Sequence, residues 1–171
     1  PILIYHDLKV VDKDKKLIAP SFYEYTGLDI NQKRKLQQLL LYNCVPGCTM
    51  LFNHTLKKKV VDIPDACFMH DWWLLLSAVC VESNIIEMKI PLALYRQHES
   101  NDMGVVKKKN LGQTAAKCLD FLNIKKYLNN NLRMKKERIT HGELLLEKYK
   151  DNMPKGNVTA VRDFLRLLTE S

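Results

Sequence analysis

"HDWWLLLSAVCVESNIIEMKIPLALYRQHESN", residues 70–101, sets a helix signal directly before a strand signal. From Asp71 to about Glu82 the apolar run is nearly continuous and too long for one strand, so it predicts a buried helix with an acidic residue in its first turn. The following "NIIEMKIPLALYR" predicts two short strands broken near Lys89 to Pro91. Upstream, residues 2–11 form an apolar-rich strand closed by "DKDKK", whose charges signal a turn. Strand, helix and strand in this order predict an α/β body.

The segments between fit that body. Asp29 or Asn31 can cap a helix through "QKRKLQQLLLY", with Leu36, Leu39 and Leu40 on one side. Pro46-Gly47 is a turn signal, and "LKKKVVDIPDACFMHD" predicts a short helix and then a loop, because Pro64 stops the helix. Beyond Asn101 the pattern becomes helical. Leu111, Ala115, Cys118, Leu119 and Leu122 follow the helical period, and Thr140 with Glu143 fits a capping box before Leu144, Leu145 and Tyr149. After "NMPKGN", the residues Val158, Val161, Phe164, Leu165 and Leu168 predict a last amphipathic helix. The boundary falls near residue 104, dividing an α/β part (1–104) from a helical, basic extension (105–171).

With 171 residues and 46% hydrophobic content the chain has enough apolar material for one ordinary core. A strand that opens at residue 2 predicts a piece of something longer. No apolar run reaches the roughly 18 residues of a membrane span and no signal peptide is visible, which predicts a soluble, cytoplasmic protein. Five cysteines, an odd number in a chain of this size, predict reduced thiols. The net charge of +8 comes from one segment: residues 107–150 carry 12 Lys/Arg against 4 Asp/Glu, while residues 1–106 carry 12 against 12. Such a block suits an anionic partner, and equally a solvated helical face.

Several residues could carry chemistry. Asp71, at the start of a buried helix, is held where a general base must be, within reach of a proton on the preceding-loop side, and the same position suits a simple first-turn acid. His98 and Arg96 end an apolar strand, where α/β sheets deliver side chains to a ligand crevice; the imidazole could ligate a divalent metal and the guanidinium could pair with phosphate. Trp72 and Trp73 lie about 100° apart on a helix, so at most one faces a substrate. Cys44, Cys48, Cys67 and His70 offer four zinc-type ligands, at a spacing looser than the usual knuckle. No phosphate-binding glycine loop and no G-x-S-x-G is present.

Four blocks in order, "LIYHDLKVVDKDKKLIAPSF", "LLLYNCVPGCTMLFNHTL", "HDWWLLLSAV" and "PLALYRQHESNDMG", resemble the second half of bacterial family 2 glycosyltransferases of the rhamnosyltransferase-like, cell-surface-polysaccharide type. The resemblance covers roughly residues 1–104. It implies a GT-A (Rossmann-like) fold and transfer of a sugar, with inversion, from a nucleotide-sugar donor to a glycan or lipid-linked acceptor. It implies Asp71 as the base, with His70 where Glu often stands, His98 near a divalent metal (Mg²⁺ or Mn²⁺) and Arg96 near the donor phosphates. Gly47, Cys48 and Thr49 would line the acceptor side together with His70, and Trp72 could stack on a sugar ring. The basic segment would touch an anionic membrane face, and no nucleic acid is expected as a partner.

The family's first half, with the nucleotide-binding strand-turn and the Asp-x-Asp metal motif, is not among these residues. The chain alone is therefore expected to bind donor poorly and to be inactive. Two other readings compete. An HD-type metal phosphohydrolase would use His70 and Asp71 with His54 and Asp120 in an all-helical fold, which the strand signals oppose. A basic nucleic-acid-binding module would use residues 107–150, but aromatic residues are too sparse there for stacking platforms.

Overall fold

Strand β1 (Ile2–Val11) is the axis of the molecule. The structure, a computed structural model, describes residues 1–28, 36–60, 62–98 and 132–170, with only the backbone of 132 and 133. β2 (Leu17–Ala19) pairs antiparallel with the end of β1, and β3 (Met50–Phe52) antiparallel with its beginning, Tyr5 opposite Met50. β4 (Asn84–Arg96) runs parallel to β1 along its whole length, from Asn84 opposite Ile2 to Arg96 opposite Val11. The described residues thus form a mixed four-stranded sheet with helices, an α/β arrangement.

The charged turn closes as its sequence predicts. Asp12 Oδ1 accepts from the N–H groups of Asp14 and Lys16, both at 2.9 Å, and Lys15 takes a left-handed φ of 64°. These two bonds offset the cost of roughly 1–2 kcal/mol for that backbone region in a residue with a Cβ. β4 departs from the prediction of two strands, being one strand of 13 residues. The irregularity expected near Lys89 to Pro91 is a pair of register shifts, with Met88 opposite His6, Pro91 opposite Asp7 and Ala93 opposite Leu8. A bulge absorbs the extra residues and the missing proline donor without ending the strand. At the same level the buried positions of β1 switch from Leu3, Tyr5 and Asp7 to Leu8 and Val10. Asp7 is satisfied there: its Oδ1 accepts from Leu8 N at 2.7 Å and Phe22 N at 3.0 Å, fixing α1 (Phe22–Thr26) to the sheet.

α2 (Leu36–Leu39), α3 (His54–Val60) and α4 (His70–Cys80) follow in chain order. The expected cap at Asp29 or Asn31, the helix at Leu111–Leu122 and the boundary near residue 104 lie outside the described residues. α5 (Leu132–Tyr149) runs straight through Thr140 and Glu143, so the capping box predicted there does not form. Arg138, His141, Leu145 and Tyr149 are all buried at helical spacing, and that continuous inner face carries the helix across. Gly142 has a packing role: a Cβ there would lie 2.8 Å from Leu165 Cδ2, so its absence lets α6 (Lys155–Thr169) approach closely.

One core contains Leu3 and Tyr5 of β1, Trp72, Trp73 and Leu76 of α4, and Leu145, Val161, Phe164 and Leu168 of α5 and α6. By contrast β4 is largely uncovered: Ile90, Leu92 and Leu94 are 57–59% exposed. The four described cysteines are free thiols. No helix among the described residues is long and apolar enough to cross a membrane.

His141 is wholly buried, and that burial pushes its imidazole down to about 4. The native state thus keeps it neutral where the unfolded chain binds a proton, so stability falls as pH drops from about 6.5 towards 4 and is unaffected above that window. Urea unfolding at pH 7 and pH 4 should show a loss of up to about 3 kcal/mol from this residue. His141→Gln, neutral throughout, should have the correspondingly flatter pH dependence.

Candidate active site

α4 begins at an extended residue, Met69, whose side chain caps nothing, so the first-turn amides depend on other acceptors. Asp71 supplies one of them. Its Oδ1 accepts from Trp72 N at 2.8 Å, and its Oδ2 from Gly47 N at 3.0 Å, 24 residues away in sequence. The partner lies in a 3-10 turn, Gly47–Thr49, that starts after the extended Pro46. Thr49 closes this turn with its N–H and its hydroxyl, both donating to Pro46 O at 3.0 and 2.7 Å. The hydroxyl is spent internally and Thr49 is buried.

The Gly47 backbone lies against the helix start. A Cβ added there would stand 2.9 Å from Asp71 Cβ and 3.3 Å from both Asp71 Oδ2 and His70 Nε2. Gly47, His70 and Asp71 therefore form one cluster, with His70 and Cys48 exposed and Asp71 half-buried. Two thiols adjoin it. Partial burial, then the charge of Asp71, pushes the Cys48 thiol up, and the same causes act in that order on Cys67. Neither is poised as a thiolate nucleophile.

Both tryptophans are core residues. Trp72 and Trp73 are 1% and 0% exposed, and the Trp72 indole N–H donates to Leu39 O at 2.6 Å. The packing of α5 over α4 covers the ring that the sequence offered for sugar stacking; His141 lies on it edge-on at 4.8 Å. Nor does the structure gather the zinc-type residues: Cys44 is in the core, Cys48 is exposed, and Cys67 contacts His141 Nε2 at 3.2 Å instead. Among the described residues no three His, Cys, Asp or Glu side chains come together as a metal-binding group.

Arg96 ends β4, His98 follows two residues beyond it, and both are exposed. They are not brought to Asp71. The 3-10 turn adjoins β1 next to Met50, opposite Tyr5, whereas Arg96 is opposite Val11. Those six residues of strand span about 20 Å. The side chains that sequence reasoning passed over are Arg138 and His141, 2% and 0% exposed. Their spacing with Leu145 and Tyr149 on one helical stripe was the available signal, hidden because both look like members of the basic segment.

Gly47→Ala should destabilise the protein by about 1–3 kcal/mol, because the new methyl meets the rigid first turn of α4 rather than a flexible side-chain end. Urea denaturation checks the value, and a neutral substitution would show that the turn can withdraw from the helix.

Compared with known proteins, the chain matches no family model, no curated protein and no solved structure.

Proposed function

We propose that this chain is the acceptor-side part of an inverting glycosyltransferase of GT-A type, with Asp71 as the general base. The observation that supports it most is the half-buried Asp71 carboxylate, held at the start of α4 by two main-chain donors. A carboxylate has about four lone-pair positions, so two remain for an acceptor hydroxyl.

In this reading the acceptor hydroxyl donates its hydrogen bond to Asp71. The proton passes to the carboxylate as the oxygen attacks the anomeric carbon, and the bond to the departing nucleotide diphosphate breaks on the opposite face, inverting the centre. Exposed His70 and Cys48, on either side of Gly47, border the place where the acceptor sits. Arg96 as phosphate partner and His98 as metal-side ligand rest on the resemblance alone. The described residues do not complete a site for Mg²⁺ or Mn²⁺.

The donor-binding half would join the sheet along β4. β2 and β3 divide the other side of β1 between them, and the outer edge of β4 is the long edge without a partner among the described residues. Peripheral contact with an anionic membrane remains part of the proposal, with the exposed Lys57, Lys58 and Lys59 of α3 adding to the basic segment. The phosphohydrolase reading is opposed by the sheet itself.

With the donor-binding half restored, Asp71→Asn should lower kcat by about 10²–10⁴ while donor binding is retained. Sugar transfer measured with Mg²⁺ or Mn²⁺ decides it. Full turnover in Asp71→Asn would sink the assignment, and His98→Ala, read by metal-dependent donor binding, tests the second role separately.

A further inference from the structure

We infer that Arg138 of α5 and Trp72 of α4 are positioning residues for Asp71, acting through the main chain of residues 39–47. This goes beyond the transferase reading and rests on it only in taking Asp71 as the working group. Two main-chain carbonyls carry the inference, that of Leu39 at the end of α2 and that of Leu41 two residues beyond it. Leu39 O accepts from Trp72 Nε1 at 2.6 Å, and Leu41 O from Arg138 Nε at 2.7 Å. Carbonyls at a helix C-terminus have no partner within the helix, so side chains decide where the outgoing chain goes. Here two buried side chains from two different helices decide it.

From Leu41 the chain has six residues to reach Gly47, and little freedom on the way. Val45 N donates to Asn43 Oδ1 at 3.1 Å, Cys44 and Val45 are buried, and Pro46 fixes its own φ. The segment then delivers the Gly47 N–H to Asp71 Oδ2. Since Trp72 follows Asp71 directly, the path closes on itself: Asp71, Trp72, Leu39, residues 40–46, Gly47, Asp71. Arg138 holds this ring at the Leu41 carbonyl. His141, one turn along α5, packs on the Trp72 ring and limits its rotation.

The chemistry of Arg138 argues for this role over bulk stability. A buried guanidinium carries a large desolvation cost, and replacing buried charged groups by apolar ones of like shape is often neutral or stabilising. What an apolar side chain could not do is aim a charge-assisted donor at Leu41 O.

The test reads the Gly47–Asp71 bond directly in this chain. Amide hydrogen exchange of Gly47 would be followed by NMR and divided by that of Leu76, a ladder amide inside α4, so that global destabilisation cancels. Asp71→Ala sets the rate for a Gly47 without its acceptor. Trp72→Phe keeps the packing and removes the donor, and Arg138→Met does the same for the guanidinium. Each should speed Gly47 exchange at least about tenfold relative to Leu76, and Arg138→Lys should recover part of the protection. If Arg138→Met fails to fold, Trp72→Phe and Arg138→Lys decide. An unchanged Gly47-to-Leu76 ratio in the variants that fold overturns the inference. A fully active Asp71→Asn enzyme would overturn the transferase reading and leave this measurement untouched.

Discussion

Among the described residues three strands bond to β1 and to no other strand, so the ten residues Ile2–Val11 set the register of the sheet they form. This dependence explains why a buried carboxylate is tolerated in the middle of the strand. At Asp7 the inward-facing set shifts by one residue, and β4 shifts with it. The Asp7 side chain takes up two amide donors at that irregularity, and in doing so ties α1 to the sheet. Without such an acceptor the shift would leave donors unpaired in a buried place, at about 1–3 kcal/mol each.

The α/β class could be read from the chain because its elements carry strong local signals. β1 is apolar and closed by a charged turn, α4 is an apolar run with an acid in its first turn, and α6 has a clean amphipathic period. Where the reading failed, a local signal lost to packing. Pro91 suggested a strand end, but the pairing on either side is long enough for β4 to bridge the bulge. Thr140 and Glu143 had the spacing of a cap, but residues on both sides of them belong to one buried helical face.

The candidate site was legible only in part, for a related reason. Asp71 could be found because the need for an acid at a helix start is written locally. Its partner could not, since nothing near Gly47 in sequence indicates that its N–H meets a carboxylate 24 residues on. The tryptophans misled because residue type says how much area a side chain brings, not which neighbour covers it. Trp72 looked available to a sugar, and α5 covers it. Arg138 and His141 escaped notice because a buried Arg or His has the same letter as a solvated one.

Capping and the proposed role as a base need not compete for Asp71. A carboxylate that only capped its helix would gain little from a second donor on a distant turn; the capping needs one oxygen near the first-turn amides. Oδ2 instead reaches across to Gly47, and the glycine admits that approach, since a Cβ there would press on Asp71 itself. The outcome is a carboxylate whose plane is fixed by two donors pointing from different elements, with one side left half-open beside an exposed imidazole and an exposed thiol. Fixed orientation has an entropic cost that capping alone does not require. A base that must meet a hydroxyl within hydrogen-bond reach does require it, because misplacement by about 1 Å can cost a hundredfold in rate. The same requirement gives a reason for two buried donors, from Trp72 and Arg138, to converge on the main chain that carries Gly47.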